Sequence, residues 1–368
     1  MKYKFEDIIF NITQKKKPVE EDKYNYIGLE HLESGNLFIS KWGSDTAPEG
    51  EKIVMKKGDV LFGKRRAYQK KVAISPIDGI FSAHGMVLRP KEDVICKEFL
   101  PFFISSETFL NEAIRISVGG LSPTVNWKDI KELEFDLPSL AEQKVLAEKL
   151  WAAYEVKQSY LKMIEATEQM VKSQFIKMFG DTQTLYKIGD LFQTCSGGTP
   201  NRKKSEYFMN GKIPWVTSGE INKVYIESTD SFITELGLEN SSAKWVPENS
   251  VLIAMYGGGT VGKVGLLKIP ATTNQAICAL LPNEEYNSLF AFYMMKMKEE
   301  WMASQARGAA QENISQNFIK SIMVPKPSMM LQDKFVEFAK QADKSISELR
   351  KSIDAIDKVI KSLINENL

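Results

Sequence analysis

The sequence contains few side chains that bind metals or form disulfides, and it has no long apolar run. Its 368 residues include three cysteines, Cys96, Cys195 and Cys278, and two histidines, His31 and His84. So few and such scattered ligands exclude a disulfide framework and a clustered zinc site, and they favour a reducing cytoplasm. Without an apolar run of about 18 residues or an apolar N-terminal region, we expect no membrane span and no secretory signal.

The charges are almost balanced, so the composition shows no excess of either sign. The formal net charge is +1, and because nucleic-acid binders often carry a basic excess, this balance counts mildly against DNA as a partner. The basic residues are nevertheless clustered, while acidic residues concentrate in the stretches expected to be helical. The basic clusters are Lys15–Lys17, Lys64–Arg66, Lys70–Lys71 and Arg202–Lys204.

Motifs for catalysis are missing or incomplete. The segment Gly257–Lys263 resembles a phosphate-binding loop, but Val264 follows it and has no hydroxyl for Mg²⁺. The next residues predict a strand, so a glycine-rich hairpin or a close backbone approach to a ligand is the better interpretation. The acidic triplet Glu21-Asp22-Lys23 is attributed to chance, and no Rossmann glycine fingerprint or Asn-Pro-Pro-aromatic motif is present. We therefore expect a chain that binds, with no catalytic residue, metal or cofactor of its own.

The chain contains a duplication. Leu137-Pro138-Ser139 corresponds to Lys326-Pro327-Ser328, a shift of 189 positions (327 − 138). Because the period is far longer than a solenoid repeat of roughly 20–50 residues, it predicts two similar domains related by a pseudo-two-fold. Duplex DNA is a partner with similar symmetry. The same shift relates Val125 to Ile314, Ile130 to Ile319, Lys131 to Lys320 and Gln143 to Gln332.

Two globular domains are expected, a first domain over residues 1–137 and a second domain over residues 184–326. Both are rich in short β-branched and aromatic runs that Gly, Pro and Asn interrupt. We predict a mixed α/β (α+β) fold with a twisted sheet in each domain. Short helices are expected near Glu98–Ile114 and Ser288–Ala306.

Two long helices are predicted at residues 138–180 and 327–368, each about 60 Å long at about 1.5 Å per residue. Ser139 with Glu142 forms a capping box, Gly180 stops the first helix, and Ser328 is the cap of the second. Their heptad-like apolar stripes favour an antiparallel coiled coil with one domain near each end; the alternative is two amphipathic helices, each lying on its own domain. The expected packing residues are Leu150, Leu161, Ile164, Val171, Ile346, Leu349, Ile353, Ile356 and Ile360.

Candidate DNA contacts in the first domain concentrate in the loop Gly63–Lys71, which joins two predicted strands. The loop holds five cations, an aromatic ring and an amide within nine residues, and its alternative interpretation is a solvated charged hairpin. The stretches Ser82–Gly85 and Gly119–Trp127 are further candidates. The candidate residues are Lys64, Arg65, Arg66, Tyr68, Lys70, Lys71, His84 and Asn126.

The second domain has analogous loops with different side chains. Ser196–Lys204 is a glycine-rich turn followed by a basic cluster, and we expect its glycines to let the backbone approach a phosphate. The run Tyr256–Thr260 is the counterpart of Lys64–Arg66. Similar loops with unlike side chains are what two unlike half-sites would require. The candidate residues are Thr199, Asn201, Arg202, Lys203, Lys204, Tyr256, Thr260, Gln275, Arg307, Gln311 and Asn313.

On these residues the chain resembles a specificity subunit of a type I restriction-modification system. The paired junctions Leu137–Lys144 and Pro325–Gln332 carry most of the resemblance, and Ser196–Pro200, Ile213–Ile221 and Gln311–Ser315 add to it. It implies that each globular domain is a target-recognition domain for one half of a bipartite, asymmetric DNA site. It also implies that the helices set the spacing between the halves.

The resemblance further implies partners that supply the chemistry. Two modification subunits would dock on the helices and methylate adenine with S-adenosylmethionine, and restriction subunits would translocate and cleave DNA with ATP and Mg²⁺. The chain itself would be a cytoplasmic, non-catalytic subunit. Two other classes stay open: a coiled-coil scaffold that binds proteins without reading DNA, and an enzyme with an unrecognised acidic site.

Overall fold

A computed structural model of the protein describes residues 1–221, 224–257, 259–306 and 313–368. The chain divides into two compact units. The first unit comprises Met1–Lys162 together with Leu349–Leu368, and the second unit comprises Met163–Glu348. Each unit therefore combines one α/β region with segments of two long helices.

The first unit contains two packed four-stranded sheets and a small two-stranded sheet. The first of these sheets is antiparallel throughout; the second ends in one parallel pair, Gly79–Phe81 with Tyr26–Ile27. The strand orders are Ile9–Ile12, Met86–Pro90, Val60–Phe62, Val72–Ile74 in one, and Lys15–Lys16, Lys52–Met55, Gly79–Phe81, Tyr26–Ile27 in the other; Lys2–Lys4 pairs with Glu134–Asp136.

Alternation along the strands places the core of the first unit on both faces of the first sheet. Leu61 packs with the second sheet, whereas its neighbours Val60 and Phe62 face the helices, because successive side chains of a strand point to opposite faces. The helical layer includes Leu146 and Leu150 of the first long helix. The shorter helices are Phe5–Ile8, Leu100–Ser105, Glu107–Arg115 and Trp127–Ile130, with 3₁₀ turns at Glu20–Asn25, Leu29–His31 and Ala67–Gln69.

The second unit repeats this arrangement. Val251 and Ile253 face its helices while Leu252 and Ala254 face the other sheet. Its strand orders are Thr194–Ser196, Ile277–Leu280, Val251–Ala254, Val264–Leu267, Tyr225–Ile226, and Phe232–Ile233, Ile213–Val216, Ala271–Thr273, Trp245–Val246; Leu185–Lys187 pairs with Met323–Pro325. Its shorter helices are Ile188–Leu191, Glu235–Glu239, Ser288–Lys296, Glu299–Ala306 and Gln316–Ser321, with 3₁₀ turns at Ser205–Tyr207 and Ser218–Glu220.

The mixed α/β fold and its duplication are confirmed, with one difference in the helices. The helix expected over Glu98–Ile114 is broken at Ser106, whose extended backbone ends one helix and whose Oγ accepts a 3.1 Å hydrogen bond from the Phe109 amide of the next. The helix expected over Ser288–Ala306 is likewise two helices.

The long helices span Leu140–Phe179 and Met329–Asn365. The capping box is confirmed, since the Ser139 amide donates to Glu142 Oε2 at 2.8 Å. Hydrogen bonds from the Ser139 hydroxyl and the Ser139 amide hold the pKa of the Glu142 carboxyl below its usual range. At the other end, the Gly180 amide donates to the Ile176 carbonyl at 2.7 Å, and the helix stops there. In the part of the chain that the structure describes, neither these helices nor any other is long and apolar enough to cross a membrane.

Both long helices contribute to each unit, so the alternative in which each helix lies only on its own domain is wrong. In the first unit, Lys157 Nζ lies 2.6 Å from Asp357 Oδ1. Ala141, near the start of the first long helix, and Leu363, near the end of the second, line one cavity. These segments therefore run antiparallel.

The second unit holds the other segments of the same helices. There Phe175 packs on Phe335 with ring centroids 5.3 Å apart.

The expected packing stripe is only partly buried. Leu150, Ile164, Val171 and Ile353 are buried, whereas Leu161 is 39% exposed and is not a packing residue. Leu161 lies next to the boundary between the two units, which falls between Lys162 and Met163. The residues of intermediate burial are Ile346, Leu349, Ile356 and Ile360.

Candidate nucleic-acid interface

Three segments of the first unit meet where the loop Gly63–Lys71 leaves its strand. The Arg65 amide donates to the His84 carbonyl at 3.1 Å, and Arg65 forms an isolated antiparallel bridge with Thr124. The Val125 amide donates to the Lys64 carbonyl at 2.9 Å. These backbone contacts join residues that are far apart in the sequence into one frame.

Cationic and polar side chains meet on this frame. Arg65 Nη1 lies 3.3 Å from His84 Nε2, and Arg66 Nε donates to Ser122 Oγ at 3.3 Å. Because a guanidinium can only donate, the imidazole nitrogen must be the acceptor. Arg65, Arg66 and His84 are all exposed. The structure therefore brings three of the sequence-predicted residues together at an exposed surface.

The charges at this surface are crowded. Burial lowers the pKa of the Lys64 ammonium, and the positive charge of Lys15 lowers it further. Burial also lowers the pKa of His84, with Arg65, Lys64 and Lys52 acting in the same direction, so the imidazole is neutral at neutral pH. Among the described residues, no carboxylate forms an ion pair with Lys64, Arg65 or Arg66. A bound anion would relieve this repulsion.

Four other first-domain candidates lie apart from this cluster. Arg66 and Lys70 both have left-handed backbone conformations, so the 3₁₀ turn between them changes the direction of the chain. Lys70 lines a cavity of about 290 Å³ beside Tyr154 of the first long helix. Tyr68 is 52% exposed. Lys71 Nζ donates to the Leu29 carbonyl at 2.6 Å, and Asn126 Nδ2 donates to Asp129 Oδ2 at 3.3 Å.

The second unit has the same frame at equivalent positions. Tyr256 forms an isolated antiparallel bridge with Asn313, and the Ile314 amide donates to the Met255 carbonyl at 2.8 Å. These contacts reproduce those of Arg65 with Thr124 and of Val125 with Lys64. Tyr256 thus occupies the position of Arg65, and Asn313 that of Thr124.

Neutral polar groups stand where the first unit has cations. The Thr199 hydroxyl donates to Gln275 Oε1. Burial raises the pKa of Tyr256, and a hydrogen bond with the Gln275 side chain opposes that rise. Gln275 is itself exposed. The Thr199 hydroxyl therefore orients an exposed amide.

The remaining second-domain candidates have separate surroundings. Arg202 and Lys203 are exposed, and Asn201 Oδ1 accepts a 3.1 Å hydrogen bond from the Lys203 amide, which closes the turn. Lys204 Nζ donates to the Tyr207 hydroxyl at 3.0 Å, and Thr260 Oγ1 donates to the Gly257 carbonyl at 3.4 Å. Arg307 and Gln311 lie outside the described residues.

The glycines of the turn Ser196–Lys204 serve the interior, which corrects the expectation that they approach a phosphate. Gly197 and Gly198 are buried. A Cβ on Gly197 would collide with the Thr273 carbonyl oxygen, and one on Gly198 would collide with the backbone at Ala243. The Gly198 amide also donates to Thr273 O at 2.9 Å. The sequence pattern alone could not distinguish these two uses of glycine.

Three residues outside the list of individual candidates also belong to the first cluster: Lys15, Lys52 and Ser122. Lys15 lies in a basic cluster noted in the sequence and Ser122 in the candidate stretch Gly119–Trp127, whereas sequence reasoning missed Lys52, which sheet register brings close. No group of His, Cys, Asp and Glu side chains within the described residues is arranged to hold a metal ion.

Comparison with known proteins connects this geometry to a family. The family described as "Type I restriction modification DNA specificity domain" matches residues 2–164 and 181–358. A type I restriction enzyme specificity subunit of Escherichia coli (EcoR124I/EcoR124II) is 29% identical over 161 residues, which are 42% of this chain and 40% of the relative. The alignment thus spans about two fifths of that relative.

A more distant relative aligns over almost the whole chain. It is the putative type I restriction enzyme MjaX specificity subunit of Methanocaldococcus jannaschii, 22% identical over 391 residues, covering 98% of this chain and 89% of the relative. Among solved structures, the S subunit of a type I restriction-modification system from M. genitalium has a TM-score of 0.53 at 16% identity, covering 99% of this chain and 94% of that one. A chain from a type I R-M system has a TM-score of 0.56 at 17% identity, covering 100% and 97%. The structural likeness concerns the fold alone.

Proposed function

The chain belongs to the type I restriction modification DNA specificity domain family, and from this premise we propose that it selects the DNA sequence on which a restriction-modification complex acts. Each α/β unit reads one half of a bipartite, asymmetric duplex site. The long helices set the spacing between the halves and dock two modification subunits.

The observation that carries this proposal is the duplicated backbone frame with unlike side chains. Arg65 and Tyr256 hold equivalent backbone positions, and so do Thr124 and Asn313. Equal frames with unlike donors and acceptors are what recognition of two unlike base sequences requires, because base edges are discriminated by their hydrogen-bond patterns.

Positioning on the duplex would come from the cations around this frame. Lys64 and Arg66 flank Arg65 in the first unit, and in the second unit the exposed Arg202 and Lys203 lie in the same turn as Thr199. Contacts of this kind go to phosphates, do not depend on sequence, and make affinity steeply dependent on salt.

The chemistry would belong to partner subunits. We propose that S-adenosylmethionine binds to the modification subunits, that ATP and Mg²⁺ bind to the restriction subunits, and that the complex works in the cytoplasm. Incubating the purified chain alone with DNA, Mg²⁺, ATP and S-adenosylmethionine should leave the DNA intact and unmethylated.

Mapping methylated adenines across the genome, in cells with and without the gene for this chain, tests the proposal directly. A bipartite motif that is methylated only when the chain is present supports it. A mobility-shift titration with the modification subunits present provides the second test. If the modification subunits bind the chain but no duplex is retained at any sequence, the chain is a protein-binding scaffold instead.

A further inference from the structure

The two units present different exposed hydrogen-bonding side chains beside their shared backbone frame, Arg65 in the first unit and Gln275 in the second. Resting on the proposed function, we propose that the first unit reads a guanine through Arg65 and that the second unit reads an adenine through Gln275. One half-site would then contain a G·C pair that Arg65 reads, and the other an A·T pair that Gln275 reads.

The equivalence of the positions comes from the backbone. Arg65 and Tyr256 each follow the central strand of their sheet and each form an isolated bridge with the returning segment, at Thr124 and Asn313. On the neighbouring strand, Met86 pairs with Phe62 and Cys278 pairs with Ile253, so the counterpart of His84 is Ala276 and Gln275 lies one residue before it. Arg65 thus corresponds to Tyr256, and Gln275 lies next to the position that His84 holds in the first unit.

The chemistry of Arg65 fits guanine. Arg65 is exposed, and its guanidinium carries only donors, of which one is directed to His84 Nε2. In the major groove, guanine offers two acceptors, O6 and N7, which a guanidinium can bind in bidentate fashion. Adenine offers one acceptor beside a donor, and that donor would oppose the guanidinium. A neutral His84 orients Arg65 without adding an acceptor for base amino groups.

The chemistry of Gln275 fits adenine. The amide of Gln275 carries both an acceptor and donors, which match the N6 donor and N7 acceptor of adenine. Its hydrogen-bond partner, the Thr199 hydroxyl, is neutral and orients the amide. Its Oε1, although it accepts from Thr199, has a second lone pair for a base amino group.

The cationic neighbours of Arg65 do not share this role. Lys64 is half-buried, and Arg66 Nε is directed to Ser122 Oγ. We therefore assign Arg65 to base readout and its neighbours to phosphates. Loss of a phosphate contact would weaken binding to every sequence equally, whereas loss of a base contact would weaken binding only to sequences with the matching base.

The experiment determines the methylated motif with the full chain and its modification subunits, for the wild type and for the Arg65→Ala and Gln275→Ala variants. Arg65→Ala should relax one G·C position of one half-site, lowering discrimination there by about tenfold to a hundredfold. Gln275→Ala should relax one A·T position of the other half-site to a similar extent. Arg115→Ala, at an exposed arginine paired with Glu112, and Gln193→Ala, at an exposed glutamine, should leave the motif unchanged.

Other outcomes separate the inference from the proposed function. A bipartite motif that either variant leaves equally strict, or affinity that falls alike for all sequences, overturns the inference and leaves the function standing. The absence of any motif that depends on the chain overturns the proposed function itself. Thermal unfolding of each variant confirms that loss of discrimination is not loss of folding.

Discussion

At the scale of single residues, each long helix has one fully buried glutamine near its start. Gln143 is fully buried; its Oε1 accepts from the Cys96 amide at 2.9 Å, and its Nε2 donates to the carbonyls of Val94 and Pro138 at 2.9 and 3.0 Å. Gln332 makes the corresponding contacts with Asn287, Glu285 and Pro327, at 2.9 Å each. Each glutamine fastens the start of a long helix to the α/β region of its unit.

The Gln143→Glu substitution should destabilise the first unit by about 3 kcal/mol at neutral pH, because it removes a buried donor and places a carboxyl group against two carbonyl oxygens. Burial would raise the pKa of the introduced carboxyl above its unfolded value. The destabilisation should therefore be smallest in acid, where the group is protonated in both states, and should grow as the pH rises through the folded-state pKa. Urea denaturation at about pH 5 and about pH 8 measures both effects.

Gln169→Glu provides the matched control, since Gln169 lies exposed on the same helix. It should change the free energy of unfolding by less than about 0.5 kcal/mol. Equal losses at the two positions would show that the buried hydrogen bonds of Gln143 contribute little.

The cations of the first loop allow a second prediction at this scale. Replacing Lys64, Arg65 and Arg66 by Gln should weaken DNA binding by the assembled complex and reduce the slope of log affinity against log salt by about 2, because Lys64 and Arg66 are assigned to phosphates and each phosphate contact contributes about 0.9. The salt dependence of a mobility-shift titration measures that slope.

A control with the same change of charge replaces Lys2, Lys4 and Arg115 by Gln. Each of these three already pairs with a carboxylate in the same unit. Their loss should leave the slope nearly unchanged. If the two triple variants behave alike, the loop Gly63–Lys71 is not on the DNA surface.

At the scale of elements, each long helix is held to its α/β region by a polar contact at one equivalent position. Tyr154 of the first helix donates to Asn36 Oδ1 at 2.8 Å and accepts from the Leu37 amide at 2.5 Å. Asp343, which follows Tyr154 by the 189-position shift (343 − 154), accepts from the hydroxyls of Tyr225 and Tyr293 at 2.7 and 2.5 Å. The contact is retained while its donor and acceptor chemistry has changed.

Tyr293→Phe should destabilise the second unit by about 1–2 kcal/mol, because Asp343 loses a hydrogen bond and Tyr293 is itself buried. Burial, followed by the hydrogen bond and the charge of Asp343, raises the pKa of this tyrosine, so the effect should not change between pH 6 and pH 9, a range well below the usual tyrosine pKa of about 10. Chemical denaturation at both pH values tests this.

Tyr186→Phe is the control, at an exposed tyrosine of the same unit, and it should have little effect. A double-mutant cycle of Tyr293→Phe with Asp343→Asn should give a coupling energy above about 0.5 kcal/mol. Additive losses would mean that the two side chains do not act as a pair.

At the scale of the whole molecule, the duplication makes the recognition regions separable from the helices. The two-stranded sheet of Leu185–Lys187 with Met323–Pro325 lies wholly within residues 184–326, so a transplant of that segment carries both of its strands. The transplant must still match Phe175 and Phe335, which pack on Phe290 of the exchanged segment. A donor from the same family is therefore required.

Exchanging residues 184–326 for the corresponding segment of another family member should change one half of the methylated motif and preserve the other. The reason is that each recognition frame is built from residues of its own unit alone. Methylation mapping of the hybrid complex provides the measurement, with exchange of residues 1–137 as the reciprocal control. A change in both halves would contradict the assignment of one half-site to each unit.

The sequence by itself determined the duplication, the two long helices, the capping box of the first helix, the short alternating strands and the family. The helices, strands and cap follow from interactions between residues close in the chain, such as Ser139 with Glu142. The duplication follows from matching sequence blocks, which can be recognised even where loop lengths differ. Only the tertiary structure decided which polar groups meet: Arg65 with His84, and Thr199 with Gln275. It also placed Lys71 and Gly197 in internal contacts. These pairings join distant segments, and sheet register and loop path set them, which no local pattern encodes.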